Sequence, residues 1–316
     1  MILQTEVKIQ PLEQTITYGD GLLFLGSCFA DEVGNICKEL GFNALINPFG
    51  VLYNPASIAQ SVERLANGKP FSYDEVIAVS EKQYCTFSHN TAFWNTSETA
   101  LLEQVNASLE AAHEHFLKAK WIVVSLGTSW VFKHKESGMI VSNCHKLPAQ
   151  QFERLQMTPF VTRLELNRMV KVHPDKQFIF TVSPLRHMKD GLHGNQISKA
   201  ALIVATDQIC SSRQNAHYFP AYEIVMDELR DYRFYKEDMV HPTEQAVHYI
   251  WERFADFAIS PTERPAMKMV SEVKRMLQHR ALFPDSEAFV TFEKQKAEKI
   301  GDLQRLFPNV LIENLY

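Results

Sequence analysis

The first regular pattern along the chain is a glycine-bounded apolar run, Gly21–Gly26 (GLLFLG), which predicts a short strand buried on both faces. Phe29, Val33, Ile36, Cys37 and Leu40 then recur at helical spacing, and Gly41 supplies a helix stop. Residues 44–46 predict a second strand that ends in Asn47-Pro48-Phe49-Gly50. Helices are predicted over 57–66 and 96–119, the latter carrying Leu101, Leu102, Val105, Leu109, Ala112 and Phe116 on one face. Further strands are predicted at 121–125, Gln177–Val182 and 217–224, with a helix over 196–208 between the last two. A convincing amphipathic helix at 243–257 follows, with Ala246, Val247, Ile250, Trp251 and Phe254 on one side.

Strands and helices therefore alternate, which predicts a parallel sheet with helices on both faces. Ligands of such sheets sit beyond the carboxyl ends of the strands. Two insertions, at about 70–95 and 130–150, read as hairpins: 84–87 with 92–94, and Trp130–His134 with 138–142. Pro261 and Pro265 mark a break, dividing the chain into a main domain over 1–260 and a helical extension over 261–316. The extension reads as a cap, a dimerisation element or a packed tail, and its pattern does not choose among them.

Composition narrows the class. With 316 residues, 46% hydrophobic and 22% charged, the chain can bury a large core. A net charge of −5 without a basic stripe argues against nucleic acid as partner. No apolar run approaches the roughly 20 residues that cross a bilayer, and Met1-Ile-Leu-Gln-Thr-Glu6 does not resemble a secretory signal. Five irregularly spaced cysteines suit reduced thiols and a cytoplasmic location. No C-x-x-C pair is present, and His145 beside Cys144 has no third ligand nearby in sequence, so neither metal nor cofactor is expected.

Two short segments carry chemistry. Gly26-Ser27-Cys28 lies where a strand meets a helix, so a hydroxyl there projects from the sheet edge near helix N–H groups. The competing reading is a plain helix cap at Ser27. Cys28 is a second candidate nucleophile, expected instead to face the sheet. Asp238-Met239-Val240-His241-Pro242 places a carboxylate and an imidazole on one turn, just before a helix that Pro242 helps to start. Ser27 as nucleophile, His241 as base and Asp238 as orienting acid form a triad in logic.

The hexapeptide Leu25-Gly-Ser-Cys-Phe-Ala30 resembles the signature of the GSCFA family, itself similar to the SGNH (GDSL-like) hydrolases. The resemblance continues through Asn47-Pro-Phe-Gly50, Tyr53-Asn-Pro55, Leu126-Gly-Thr128 with Trp130, and Asn143-Cys-His-Lys146. It also takes in Ser183-Pro-Leu-Arg-His187, Tyr218–Glu223, Asp227–Arg233 and Asp238-x-x-His241-Pro. It implies a three-layer α/β/α sandwich with five parallel strands, of the SGNH-hydrolase or flavodoxin-like type. It further implies a Ser27–His241–Asp238 triad acting on acyl esters, often on carbohydrate, with a small-molecule or carbohydrate ester as partner.

For the oxyanion hole the resemblance implies N–H groups of Ser27 and Gly50. The third donor departs from the family pattern: Gly127-Thr128-Ser129 stands where Gly-x-Asn-Asp is usual, leaving Thr128 or Asn143. Asn47, Arg186, His187 and His145 are substrate-binding candidates. His193, Asn195 and Lys199 are candidates to line the substrate groove, with the solvated surface the favoured place for each, and Tyr222, Glu223, Asp227 and Arg230 read as an ion-pair network behind the catalytic loop. Trp94 and Trp130 offer rings for stacking or for the core. Hydrolysis, acyl transfer to an alcohol and non-catalytic binding all remain compatible with these residues, as does any oligomeric state.

Overall fold

A computed structural model describes residues 5–280, 282–283 and 285–315. Strand β1 (Gly21–Gly26) passes into helix α1 (Cys28–Glu39), then β2 (Asn43–Ile46) and α2 (Pro55–Asn67). A small hairpin, β3 (Val76–Ser80) with β4 (Gln83–Thr86), precedes α3 (Glu98–Lys118) and β5 (Ala119–Leu126). The second insertion folds as β6 (Trp130–His134), β7 (Ile140–Val141) and β8 (Phe152–Gln156). There follow α4 (Pro159–Val172), β9 (Gln177–Val182), α5 (Gly191–Cys210), β10 (Ala216–Tyr218) and the one-turn α6 (Ala221–Glu223). Helices α7 (Glu244–Ala258), α8 (Arg264–Gln278) and α9 (Glu287–Leu306) complete the order.

The main sheet has the order β10-β9-β5-β1-β2, and every pairing is parallel. Counting only its own strands, the order is 2-1-3-4-5, a doubly wound sheet whose connections diverge between β1 and β5. The period-2 alternation sends neighbouring side chains to opposite layers. Leu22, Phe24, Trp121, Val123 and Ile179 pack with α1, α7 and α8, while Leu23, Leu25, Ile122, Val124, Phe178 and Phe180 pack with α2 to α5. Burial on both faces explains why these strands read as unbroken apolar runs.

Several expectations need adjustment. Strand 217–224 ends at Tyr218; Pro220 cannot extend the ladder, and a helical turn followed by a π-helical stretch, Ile224–Glu228, replaces its second half. The first hairpin pairs β3 with β4, and only a single bridge, Tyr84 with Asn95, survives of the predicted 84–87 with 92–94 pairing. The second hairpin gains a third strand, β8, on the other edge of β6. Helix α4 was not anticipated: Phe160, Val161, Leu164 and Val172 are exposed while Thr162, Leu166, Met169 and Val170 are buried, which blurs its periodicity.

The tail is a packed extension. Met267, Val270, Val273, Leu303, Val310, Ile312 and Leu315 join the same cluster as Phe24 and Trp121. Leu311 N–H donates to Gly41 O at 2.8 Å and Asn314 Nδ2 to Phe42 O at 3.2 Å, fixing the tail at the end opposite the strand carboxyl termini. Among the described residues no helix is long and apolar enough to cross a membrane.

Candidate active site

The carboxyl ends of β1 and β5 open the crevice that the strand order predicts. At its base the ladder runs one residue past β1, with Ser27 N–H donating to Ser125 O at 3.0 Å. Gly26 has φ +130, and a Cβ there would lie 2.0 Å from Ser125 O, so only glycine permits this turn. Asn47 Oδ1 accepts from Gly26 N–H at 2.8 Å, and Leu52 N–H donates to Gly26 O at 2.8 Å. The turn is thus clamped by β5 and by the loop after β2.

Ser27 is 1% exposed and caps α1, its Oγ accepting from Phe29 N–H at 3.3 Å. The same Oγ hydrogen-bonds Ser125 Oγ at 2.8 Å. Both readings of Ser27 therefore coexist: it is a helix cap, and it lies on the wall of a cleft. Cys28, Tyr53, Thr128, His187 and His241 line that cleft with it, enclosing about 410 Å³. Cys28 turns toward the cleft and not the sheet, with Sγ 3.8 Å from Tyr53 Oη. Burial raises its thiol pKa, which keeps it protonated and a poorer nucleophile.

The Asp238–His241 contact is formed as its spacing predicts. His241 Nδ1 lies 2.6 Å from Asp238 Oδ2, while Val240 and His241 N–H both donate to Oδ1 at 2.9 Å. The His241 and Val240 backbone donors, then the imidazole, hold the Asp238 carboxyl down to about 2. With Nδ1 on the carboxylate, Nε2 is the nitrogen left for proton transfer. The turn closes on itself through Lys236 N–H to His241 O at 2.8 Å, and Met239 takes φ +57 within it. His241 and Ser27 share the cleft, but Ser27 Oγ is bonded to Ser125 and Phe29 rather than to His241.

The predicted oxyanion donors fare differently. Ser27 N–H is spent on Ser125 O, Gly50 N–H on Asn47 O at 2.7 Å, and Thr128 N–H on Tyr53 O at 3.0 Å. The Thr128 hydroxyl pairs with Ser198 Oγ at 3.1 Å. Asn143 lies in the second insertion, outside the cleft lining, with Oδ1 accepting from His145 N–H at 2.7 Å. In the first turn of α1, Phe29 and Ala30 N–H return to Ser27.

Among the substrate-binding candidates, Arg186 and His187 line the cleft. Burial, then the charge of Lys199, lowers the His187 imidazole to about 4, so it is neutral near pH 7. Asn47 and His145 act within the protein instead. Asn47 joins Gly26 to Asp31, whose Oδ1 accepts from Nδ2 at 2.6 Å, and the His145 ring bonds Thr86 O at 2.8 Å.

Lys199 and Asn195 are buried, contrary to the surface placement expected. Their polar atoms sit on the core side of α5. Lys199 Nζ donates to Gly127 O and Ser183 O, both at 2.7 Å, joining the ends of β5 and β9, and Asn195 Oδ1 accepts from His187 N–H at 3.0 Å. Burial, then Arg186, lowers the Lys199 amine to about 7. The network expected of Tyr222, Glu223, Asp227 and Arg230 contains no ion pair among those four. Glu223 instead accepts from Tyr218 Oη at 2.8 Å.

Ser125, Tyr53 and the Trp130–Arg154 pair were not singled out as a group by sequence. Arg154 stacks 4.1 Å from the Trp130 ring and pairs with Asp190 along the cleft wall. A serine ending a buried apolar strand was the available signal for Ser125.

The GSCFA family profile matches residues 21–254. The chain belongs to the GSCFA family. The match runs from β1 nearly to the end of α7, so it contains both the Ser27 turn and the Asp238–His241 turn. The tail that packs on the sheet lies outside it. No curated protein matches the chain.

Proposed function

We propose that this GSCFA-family protein is a serine ester hydrolase, with Ser27 as nucleophile, His241 as general base and Asp238 as its orienting acid. The observation that carries the reading is the Asp238–His241 pair, bonded at 2.6 Å, with His241 lining the cleft that holds Ser27. The resemblance to SGNH hydrolases, drawn from the sequence blocks, supports the same assignment.

In the proposed reaction Ser27 rotates about χ1 from Ser125 toward His241, a move between staggered wells. His241 Nε2 takes the Oγ proton as Oγ attacks the ester carbonyl. Asp238 holds the tautomer and stabilises the imidazolium. The tetrahedral intermediate expels the alcohol, which takes the proton from His241. Water, deprotonated by His241, then releases the acid and restores Ser27. With the N–H groups of Ser27, Gly50 and Thr128 occupied, Cys28 N–H at the positive end of α1 is the proposed oxyanion contact.

A panel of acyl esters assayed with wild type and Ser27→Ala tests this. Ser27→Ala is expected to lose on the order of 10⁶ in kcat. Equal turnover by both proteins would remove Ser27 from the mechanism. A second reading, a non-catalytic binding protein, draws on the occupied N–H groups of Ser27, Gly50 and Thr128. It predicts that no ester is turned over by wild type.

A further inference from the structure

Next to the cleft lies a second cavity of about 470 Å³, within the roughly 300–1,000 Å³ typical of ligand sites. Six of its lining side chains are aliphatic or thioether, among them Met188, Leu192, Met226 and Met239, and they stand beside the charged Arg230 and Asp231. Two features place it against the cleft. Arg186 lines both spaces, and Met239 belongs to the turn whose next residues, Val240 and His241, line the cleft.

Met239 is unusual in two respects. It adopts φ +57, a region that bulky residues avoid and that Gly or Asn fills at less cost. It is also 51% exposed, as are neighbouring rim residues: Met188 at 54%, Leu192 at 58% and Tyr232 at 78%. Grouped apolar exposure of this kind marks an interaction site. Three methionine side chains give the walls the adaptability of a site that accepts flexible hydrocarbon.

We infer that this cavity receives the hydrocarbon chain of an acyl group whose ester carbon reaches Ser27, so that the substrate is a medium-chain acyl ester and not an acetate. The inference rests on the ester-hydrolase reading of the cleft. The acyl chain is the substituent bonded to the carbon that Ser27 attacks. It is therefore the part of the substrate that a neighbouring apolar cavity can hold during chemistry. The chain passes between Arg186 and the Met239 turn. The opposite wall, with Trp130 and Arg154, is left for the alcohol.

The test compares p-nitrophenyl acetate, hexanoate and decanoate, using the full chain as wild type, Met226→Trp and Leu192→Asp. Each methylene buried is worth about four-fold, so kcat/KM is expected to rise at least roughly ten-fold from acetate to hexanoate in wild type. Met226→Trp fills the cavity and should erase that rise, while acetate hydrolysis stays within about two-fold. Leu192→Asp, a change at an exposed rim position that spares the core, should reduce the rise in the same direction. A flat wild-type series, or equal loss on acetate and hexanoate in both variants, overturns the proposal.

Binding separates this proposal from the reading it rests on. If no ester is hydrolysed, the catalytic reading fails, yet Ser27→Ala should still bind cis-parinaric acid in competition with decanoate and not with acetate. Absence of that binding, or binding unaffected by both cavity variants, also overturns the acyl-chain assignment.

Discussion

The turn that carries Ser27 and the turn that carries Asp238 and His241 are built in opposite ways. Ser27 is buried and clamped by partners distant in sequence: Ser125 from β5, and Asn47 and Leu52 from the loops after β2. Asp238 and His241 are half-exposed, with side chains 49% and 40% accessible, and their bonds fall within a few residues of each other. One turn is fixed by the sheet, whereas the other is held mainly by itself. On the proposed reading, the contrast makes the Asp238–His241 turn the one able to adjust toward a substrate, and the Ser27 turn the fixed reference. It also predicts that damage to the two turns separates activity from stability.

Asp238→Asn breaks the comparison on the activity side. It should slow ester turnover by up to about 10⁴, as carboxylate-to-amide changes do in related triads. Its unfolding midpoint should fall only modestly, since the turn is exposed and an asparagine Oδ1 can still accept from Val240 and His241 N–H. Steady-state kinetics and a urea titration on the same preparation check both halves. A large loss of stability would show that the exposed turn is structural after all.

Gly26→Ala attacks the other side. A Cβ 2.0 Å from Ser125 O at φ +130 cannot be accommodated without moving β1 from β5. The expected cost is about 4 kcal/mol or more, read from denaturant unfolding. Asn47→Ala should cost less, about 1–3 kcal/mol, because it leaves the buried Gly26 N–H without its acceptor. Turnover by that variant should fall through misplacement of Ser27, with kcat affected more than KM.

A pH-dependent effect concerns His187, which lines the same cleft. Burial and Lys199 hold it at about 4, below an unfolded value of about 6.5. Between these values the unfolded chain takes a proton that the folded chain refuses. Its contribution is therefore complete above about pH 6.5 and is lost as pH falls toward 4. Midpoints measured across that window should decline less steeply in His187→Gln, and parallel curves would remove His187 as the cause.

The same contrast decides what was legible in sequence. The Asp238–His241 pair could be read from three-residue spacing because its bonds are local. Strand and helix around Ser27 were also readable, since buried strands and an amphipathic α1 leave direct patterns. The frame around Ser27 was not, because Ser125, Asn47, Tyr53 and Lys199 meet it only after the parallel strands assemble. For that reason the oxyanion donors were legible only as residue types: Ser27, Gly50 and Thr128 fit, whereas sequence does not show that their N–H groups donate within the protein, to Ser125, Asn47 and Tyr53 O. Lys199 was misplaced for a related reason. An isolated lysine on a helix suggests solvent unless the two carbonyls that receive it are known.

The central claim is that Ser27 is a nucleophile activated by the Asp238–His241 pair. Its most direct test is labelling of the intact protein with a fluorophosphonate, with the modified residue located by mass spectrometry. The account predicts a single adduct on Ser27, absent from Ser27→Ala and formed much more slowly in His241→Ala. An unlabelled wild type, or an adduct that forms equally fast without His241, would contradict it.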